Sequence, residues 1–206
     1  MPPFLPLRTS RLHLRPVRND DLPGLFTILG DAEVMKLALY ERALTREEAQ
    51  QFVDDDFTKD ASDVTHLGAL CRNEDKTLIG FAGLLVWKYF PGDLELGFVL
   101  AAEHQRKGYA IEIGRALIDL AFRGLGCPRL LALCSPRNDP SRAVLEKLGM
   151  HQIGETRQAT EDSEWFTRSL RRADEIKPSD SCQSTVADCP HSSRSSREAA
   201  TDAECS

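Results

Sequence analysis

Residues 9–17 alternate in character. Leu12, Leu14 and Pro16 fall on one side and Arg11, His13 and Arg15 on the other, the period of a half-buried strand. Asp20 or Asp21 then caps a helix that carries Leu22, Leu25, Phe26 and Leu29 and stops at Gly30. Thr45 with Glu48 forms a capping box, opening a second helix through Val53. Two apolar runs, 64–71 and 78–87, flank Asn73-Glu74-Asp75-Lys76 and predict an antiparallel hairpin. Pro91-Gly92-Asp93 turns into a strand over 94–100. Residues 108–122 predict an amphipathic helix with Ile113, Leu117, Leu120 and Ala121 on its apolar face, stopped by Gly124 and Gly126. After a strand over 130–134, Asp139-Pro140 opens a helix through Lys147 that ends at Gly149. Strands over 151–157 and 164–170 close the pattern. The order β-α-α-β-β-β-α-β-α-β-β predicts a mixed α+β domain.

Composition divides the chain in two. Residues 173–206 hold eight serines and no aromatic residue. They have too little apolar surface to offset ordering entropy, so they read as a disordered acidic tail behind a domain spanning 8–172. The net charge is −6, and the tail holds 3 Lys+Arg against 7 Asp+Glu. The remainder is nearly neutral, which argues against a nucleic-acid partner. The longest apolar run, 81–87, is far short of the roughly 20 residues of a membrane span. The proline-rich start does not look like a secretory signal, so a cytoplasmic protein with no membrane partner is expected, as monomer or homodimer. Cys71, Cys127 and Cys134 sit among apolar residues, while Cys182, Cys189 and Cys205 are spaced too irregularly for zinc. No pair of histidines has helical ligand spacing, and no metal is expected.

Candidate chemistry concentrates in 94–125. The strand Leu94-Glu-Leu-Gly-Phe-Val-Leu100 runs through Ala101-Ala-Glu-His-Gln-Arg-Lys-Gly108 into the long helix. A strand, a glycine-containing loop and a helix N-terminus together form a layout that binds phosphate, because free amides and the helix dipole face the anion. Arg106 and Lys107 add positive charge, and Gly108 lets backbone approach closely. One glycine before a helix is common, so this layout alone is equally a plain loop-to-helix junction.

Gln105-Arg106-Lys107-Gly108-Tyr109-Ala110 resembles the acetyl-CoA motif of the GNAT N-acetyltransferases, Gln/Arg-x-x-Gly-x-Gly/Ala. Asn138-Asp-Pro-Ser141 followed by Glu146-Lys-Leu-Gly149-Met resembles the family's later Asn-x-x-Ser…Glu-Lys-Leu-Gly-Phe stretch. Thr9-Ser-Arg-Leu-His-Leu-Arg15, Gly80 and Glu95-Leu-Gly-Phe98 are similar to the branch that includes ribosomal-protein N-terminal alanine/serine acetyltransferases. The likeness spans roughly residues 8–170, and three motifs in order are far more specific than one.

The resemblance implies a GNAT fold: a mostly antiparallel sheet, splayed at the acyl-CoA site and flanked by helices. Acetyl-CoA would be the co-substrate. Its pantetheine arm would pair with the backbone of Phe98, Val99 and Leu100, as an added strand. Gln105, Arg106, Lys107, Gly108, Tyr109 and Ala110 would hold the pyrophosphate. Asn138 and Ser141 would reach the pantetheine or adenosine side; read as local structure, Asn138 is a helix cap and Ser141 a first-turn serine. Glu95 is the candidate base, with a rim carboxylate as its bland alternative. Glu103 and His104 read as loop residues, and Glu112 as a structural carboxylate in the first turn. Where many family members carry an acidic tyrosine, this chain has Leu145. The expected acceptor is a primary amine, a protein N-terminus before a small molecule such as an antibiotic or polyamine. Asp54-Asp55-Asp56 offers a polyamine-binding run if it is not merely a solvated face. A non-catalytic acyl-CoA-binding module is the remaining alternative.

Overall fold

The computed structural model describes residues 6–38, 41–57, 66–86, 93–157 and 164–171, with the backbone alone for Asp56, His66, 154–157 and 164–171. The expected tail, positions 64–65, Trp87 and the Pro91-Gly92 turn lie outside the described residues. The elements, in chain order, are β1 (Leu7–Arg8), β2 (Leu12–Arg15), α1 (Leu22–Leu29), α2 (Ala32–Met35), α3 (Arg46–Asp56), β3 (His66–Arg72), β4 (Leu78–Val86), β5 (Leu94–Leu100), α4 (Tyr109–Asp119), β6 (Arg129–Cys134), α5 (Asp139–Lys147), β7 (His151–Arg157) and β8 (Glu164–Arg171).

These strands form one mixed sheet in the order β1-β2-β3-β4-β5-β6-β8-β7. Every pairing is antiparallel except β5 with β6, which is parallel. Each face of the sheet carries its own core. Leu12, Leu14, Leu96, Leu100, Ile113, Leu117 and Leu145 pack on the face under α4 and α5. Leu25, Leu29, Met35, Phe52, Val53 and Phe81 pack on the face under α1, α2 and α3. Phe52, Phe57 and Phe81 form an aromatic triangle there, with ring centroids 5.6 to 5.8 Å apart.

Local hydrogen bonding moves several expected boundaries. The strand expected over 9–17 shortens to β2 because the Thr9 N–H turns back to the Leu12 carbonyl at 2.9 Å, and β1 forms ahead of that turn as a strand the pattern did not predict. Asp21 does not cap α1. Its carboxylate instead takes both Arg15 guanidinium nitrogens, at 2.6 and 2.8 Å, and the Arg18 N–H at 2.7 Å. The pattern did not predict α2, a short helix capped by Asp31 Oδ1, which accepts the Glu33 and Val34 N–H groups. The Thr45–Glu48 capping box forms as expected, and α3 runs on to Asp56. The cap of α5 is Asn138 rather than Asp139.

Candidate active site

The site begins where β5 and β6 part. Their ladder has two pairs, Leu94 with Leu130 and Glu95 with Leu131. At the closed end Asp93, 6% exposed, accepts Arg129 Nε at 2.9 Å and also Nη2, which pins the start of both strands. Beyond Glu95 the ladder to β6 ends, while β5 stays paired with β4 as far as Leu100 opposite Gly80. Backbone polar groups on the parted edge are therefore available to a ligand with amides of its own. Gly80 makes the far end possible. A Cβ there would lie 2.1 Å from the Val99 carbonyl oxygen and 3.0 Å from the Leu100 Cα, so any side chain would displace β5.

The loop after β5 is tightly wound and strapped in place. Gln105 Nε2 donates to the Leu100 carbonyl at 3.0 Å. Arg106 (φ 59°) and Gly108 (φ 81°) both take left-handed conformations, and Gly108 is the N-cap of α4. Such turns present backbone N–H groups on a concave side, here at the positive end of an eleven-residue helix. Arg11, just ahead of β2, braces the loop. Its Nη1 donates to the Lys107 carbonyl at 3.1 Å, and its guanidinium lies 4.7 Å from the Tyr109 ring centroid.

Glu112 anchors that brace. One carboxylate oxygen accepts the Thr9 hydroxyl at 2.6 Å, the Ser10 hydroxyl at 3.1 Å and the Arg11 N–H at 2.8 Å. The other accepts Arg11 Nε at 2.6 Å. Burial alone would push its carboxyl up; the Thr9 and Arg11 hydrogen bonds outweigh that and hold it below the usual glutamate range. Glu112 is thus structural, as its first-turn position suggests. The Thr9-Ser10-Arg11 stretch acquires a purpose that its sequence does not disclose: it ties the first strands to the phosphate-type loop across a hundred residues of chain.

Glu95 is treated in the opposite way. The side chains of Leu94, Leu96 and Leu100 join the core under α4, so alternation turns Glu95, Gly97 and Val99 to the α1–α3 face. Its cross-strand neighbour there is Leu85. No described residue gives the Glu95 carboxylate a hydrogen bond or an ion pair, and burial pushes its carboxyl up to about 7. A half-buried acid that has no described partner and faces a cavity is perturbed in the way expected of a proton-transferring group.

A cavity of about 580 Å³ joins these parts. Glu95, Phe98, Val99 and Leu100 line it from β5; Gln105, Arg106, Gly108, Tyr109 and Ala110 from the loop; Asn138 and Ser141 from the start of α5. Lys107 is the one candidate that does not line it, its carbonyl being held by Arg11. The wall on the α1–α3 side was not foreseen: Val34, Leu37 and Ala38 around α2, and Phe52, Phe81 and Leu85. Apolar periodicity marked Phe81 and Leu85 as core, and nothing in the sequence marked them as facing a cavity. Leu145, 1% exposed, fills the position where the family resemblance places a tyrosine, so no hydroxyl stands there. His104 is buried and its pKa is lowered by that burial, while Glu103 is exposed; neither lines the cavity. Asp54 and Asp55 accept hydrogen bonds from Gln50 and Gln51 one turn earlier, at 2.8 and 2.9 Å, and lie outside this cavity.

A parallel strand pair that parts after two residue pairs, a glycine-capped helix start beside it and an acid at the fork thus share one cavity. Residues 11–151 match the family model for the acetyltransferase (GNAT) domain, and the chain belongs to that family. It is an N-acetyltransferase, and its family uses acetyl-CoA. The chain is 31% identical over 149 residues to the uncharacterized N-acetyltransferase YnaD of Bacillus subtilis (strain 168), covering 72% of this chain and 84% of that protein. Its fold matches the ribosomal-protein-S5-alanine acetyltransferase of Vibrio fischeri with a TM-score of 0.67 at 18% identity, over 84% of this chain and all (100%) of that one. It also matches the spermidine N-acetyltransferase of Vibrio cholerae, solved with CoA and spermine, with a TM-score of 0.65 at 19% identity, over 79% and 96%. Between these last two the shared feature is the fold, and their acceptors differ. Among the described residues no cluster of side chains suits a metal ion, and no helix is long and apolar enough to cross a membrane.

Proposed function

We propose that the protein acetylates α-amines, with a protein N-terminus as the favoured acceptor and Glu95 as general base. The observation that carries this is the Glu95 carboxyl at the fork, which has no partner among the described residues and is pushed up to about 7 by burial. An α-ammonium has a pKa of about 8, so transfer of its proton to Glu95 is uphill by about 1.4 kcal/mol; for a lysine or polyamine ammonium, at about 10.4, the step is uphill by about 4.6 kcal/mol. A polyamine also calls for several carboxylates. Glu95 and Glu33 are the acids that line the cavity among the described residues, and Glu33 is paired with Lys36.

In this reading acetyl-CoA lies along the parted edge of β5. The pantetheine amides pair with the backbone of Phe98, Val99 and Leu100, the amides of residues 106–110 hold the pyrophosphate, and Ser141 faces the same groove. The acceptor comes from the α1–α3 face. Glu95 takes one proton from the ammonium, and the freed nitrogen attacks the thioester carbonyl. A backbone amide near Val99 donates to the oxyanion. The tetrahedral intermediate collapses as the C–S bond breaks. CoA leaves as a thiolate, and the second nitrogen proton goes to that sulfur. A thiol is acidic enough, at about 8.5, to leave without the tyrosine that Leu145 replaces.

The test is an acetylation assay with acetyl-CoA on short Ala- and Ser-initiated peptides, the same peptides with blocked N-termini and an internal lysine, and spermidine. Free N-termini should be acetylated, with kcat/KM rising through pH 7 as Glu95 ionises. Faster turnover of spermidine or of blocked lysine peptides would overturn the α-amine assignment.

A further inference from the structure

We propose that Asn138 is a positioning residue for the acceptor: it ties the start of α5, on the cofactor side, to the wall against which the acceptor sits. This rests on the reading that the acceptor enters from the α1–α3 face.

Asn138 lies in the loop between β6 and α5, and both ends of its amide are engaged. Oδ1 accepts the Ser141 N–H at 3.0 Å, which caps α5. Nδ2 donates to the Leu37 carbonyl at 2.9 Å. Leu37 and Ala38 follow α2 and line the cavity, and Ala38 packs into the core on the α1–α3 face. Leu145, further along α5, packs into the core on the opposite face. A single side chain therefore spans the open side of the fork from one face of the sheet to the other.

The residue beside it reinforces the span. Arg137 Nη2 meets Glu41 Oε2 at 3.3 Å. Glu41 is one of three described non-glycine residues in a left-handed conformation, at φ 53°. Residues held in that region persist where their surroundings dictate it, and Arg137 is the charge on this one's carboxylate. Among the described residues of the segment, the backbone bonds are local, Ala38 N–H to Met35 at 3.0 Å and Glu41 N–H to Ala38 at 2.9 Å. They shape the turn without setting its distance from α5. That distance is set by Asn138, with the largely exposed Arg137 as a weaker second tie. With β6 parted from β5 there is no sheet ladder to fix the cavity's width at this end, so a side-chain tie takes that role.

Asn138→Asp separates the two functions of the residue. Aspartate caps a helix as well as asparagine does, but it has no N–H to give Leu37. Three quantities are measured: hydrogen exchange at the Leu37 and Ala38 amides, the Kd of acetyl-CoA by calorimetry, and kcat and KM for a Ser-initiated peptide. Losing one hydrogen bond should speed exchange at Leu37 and Ala38 about fivefold and raise peptide KM by about five- to tenfold. The acetyl-CoA Kd should change less than the peptide KM does, because the cap that holds Ser141 is kept. Arg137→Ala should shift exchange and KM the same way by a smaller factor. A weakened acetyl-CoA Kd with exchange and KM unchanged would make Asn138 a cofactor ligand and overturn the proposal. No change in exchange would overturn it too. If the wild-type protein acetylates no N-terminus, the acceptor assignment fails, while exchange at Leu37 and Ala38 still decides whether the tie exists.

Discussion

The loop end of the cavity and the fork end each hold a glutamate, and they handle it oppositely. Glu112 has four donors on its two oxygens, and those donors keep it ionised. Glu95 has none from any described residue and sits beside Leu85 on a largely apolar wall. The first arrangement trades reactivity for rigidity: a charge surrounded by fixed donors has little reason to gain or lose a proton. The second leaves a group close to its neutral form, at a cost in stability whenever it is ionised. In the proposed reading, one end of the site holds a ligand and the other exchanges a proton with one.

The sharpest way to break this contrast is Glu95→Gln. Turnover should fall by about 10²-fold or more, equivalent to about 2.7 kcal/mol, with acetyl-CoA affinity unchanged. The loss should shrink at high pH, where more acceptor is already neutral. Stability should move the other way. The native carboxyl binds its proton more tightly than an ordinary glutamate at 4.5, so its contribution is full below 4.5 and is lost as pH rises through about 7. The wild type should lose up to about 3 kcal/mol across that window, and Glu95→Gln should not. The variant should therefore melt higher than wild type at pH 8 and match it at pH 4.5. Equal melting temperatures at both values would mean that Glu95 is solvated.

Gly108→Val tests the loop end. Acetyl-CoA at a hundredfold excess over Kd should stabilise the wild type by about 2.7 kcal/mol, and this gain should vanish in the variant. A valine at φ 81° is strained and meets Arg11 Nη2 at 3.4 Å, so the comparison is made with and without ligand on each protein. A normal ligand shift would place the phosphates elsewhere. Glu112→Ala should cost about 2 kcal/mol of stability by leaving the Thr9, Ser10 and Arg11 donors without their acceptor, with no pH-dependent gain. Denaturant melts at pH 5 and pH 8 would show whether the two glutamates behave as differently as their surroundings require. The smallest effect is expected from deleting residues 173–206: melting temperature and acetyl-CoA affinity should be unchanged, because the segment has no apolar periodicity. A drop of several degrees would show that the tail packs on the domain.

The cofactor half was legible because its chemistry is local. A strand, a glycine loop and a helix start are contiguous in sequence, so residues 94–110 carry their own geometry, and apolar periods of two and 3.6 placed the elements around them. The Thr45–Glu48 capping box was equally readable. What stayed hidden depends on pairs far apart in the chain. No local rule brings Arg11 to Lys107, or Asn138 to Leu37, or aligns Asp93 with Arg129 so that two strands start together and then part. Glu95 could be picked out as a carboxylate in an apolar run, but the proton affinity that makes it useful arises only from burial in the assembled fold without a partner. Leu37 and Ala38 line the cavity together with β5 residues about sixty positions away, and Gly80 lets β5 stay close to β4 at the open end of the fork. Sequence alone therefore determined where the glycine loop and the helix it opens lie in the chain. Tertiary structure decided which acid faces the cavity without a described partner and which residues form the wall beside it, since both depend on contacts between segments far apart in the chain.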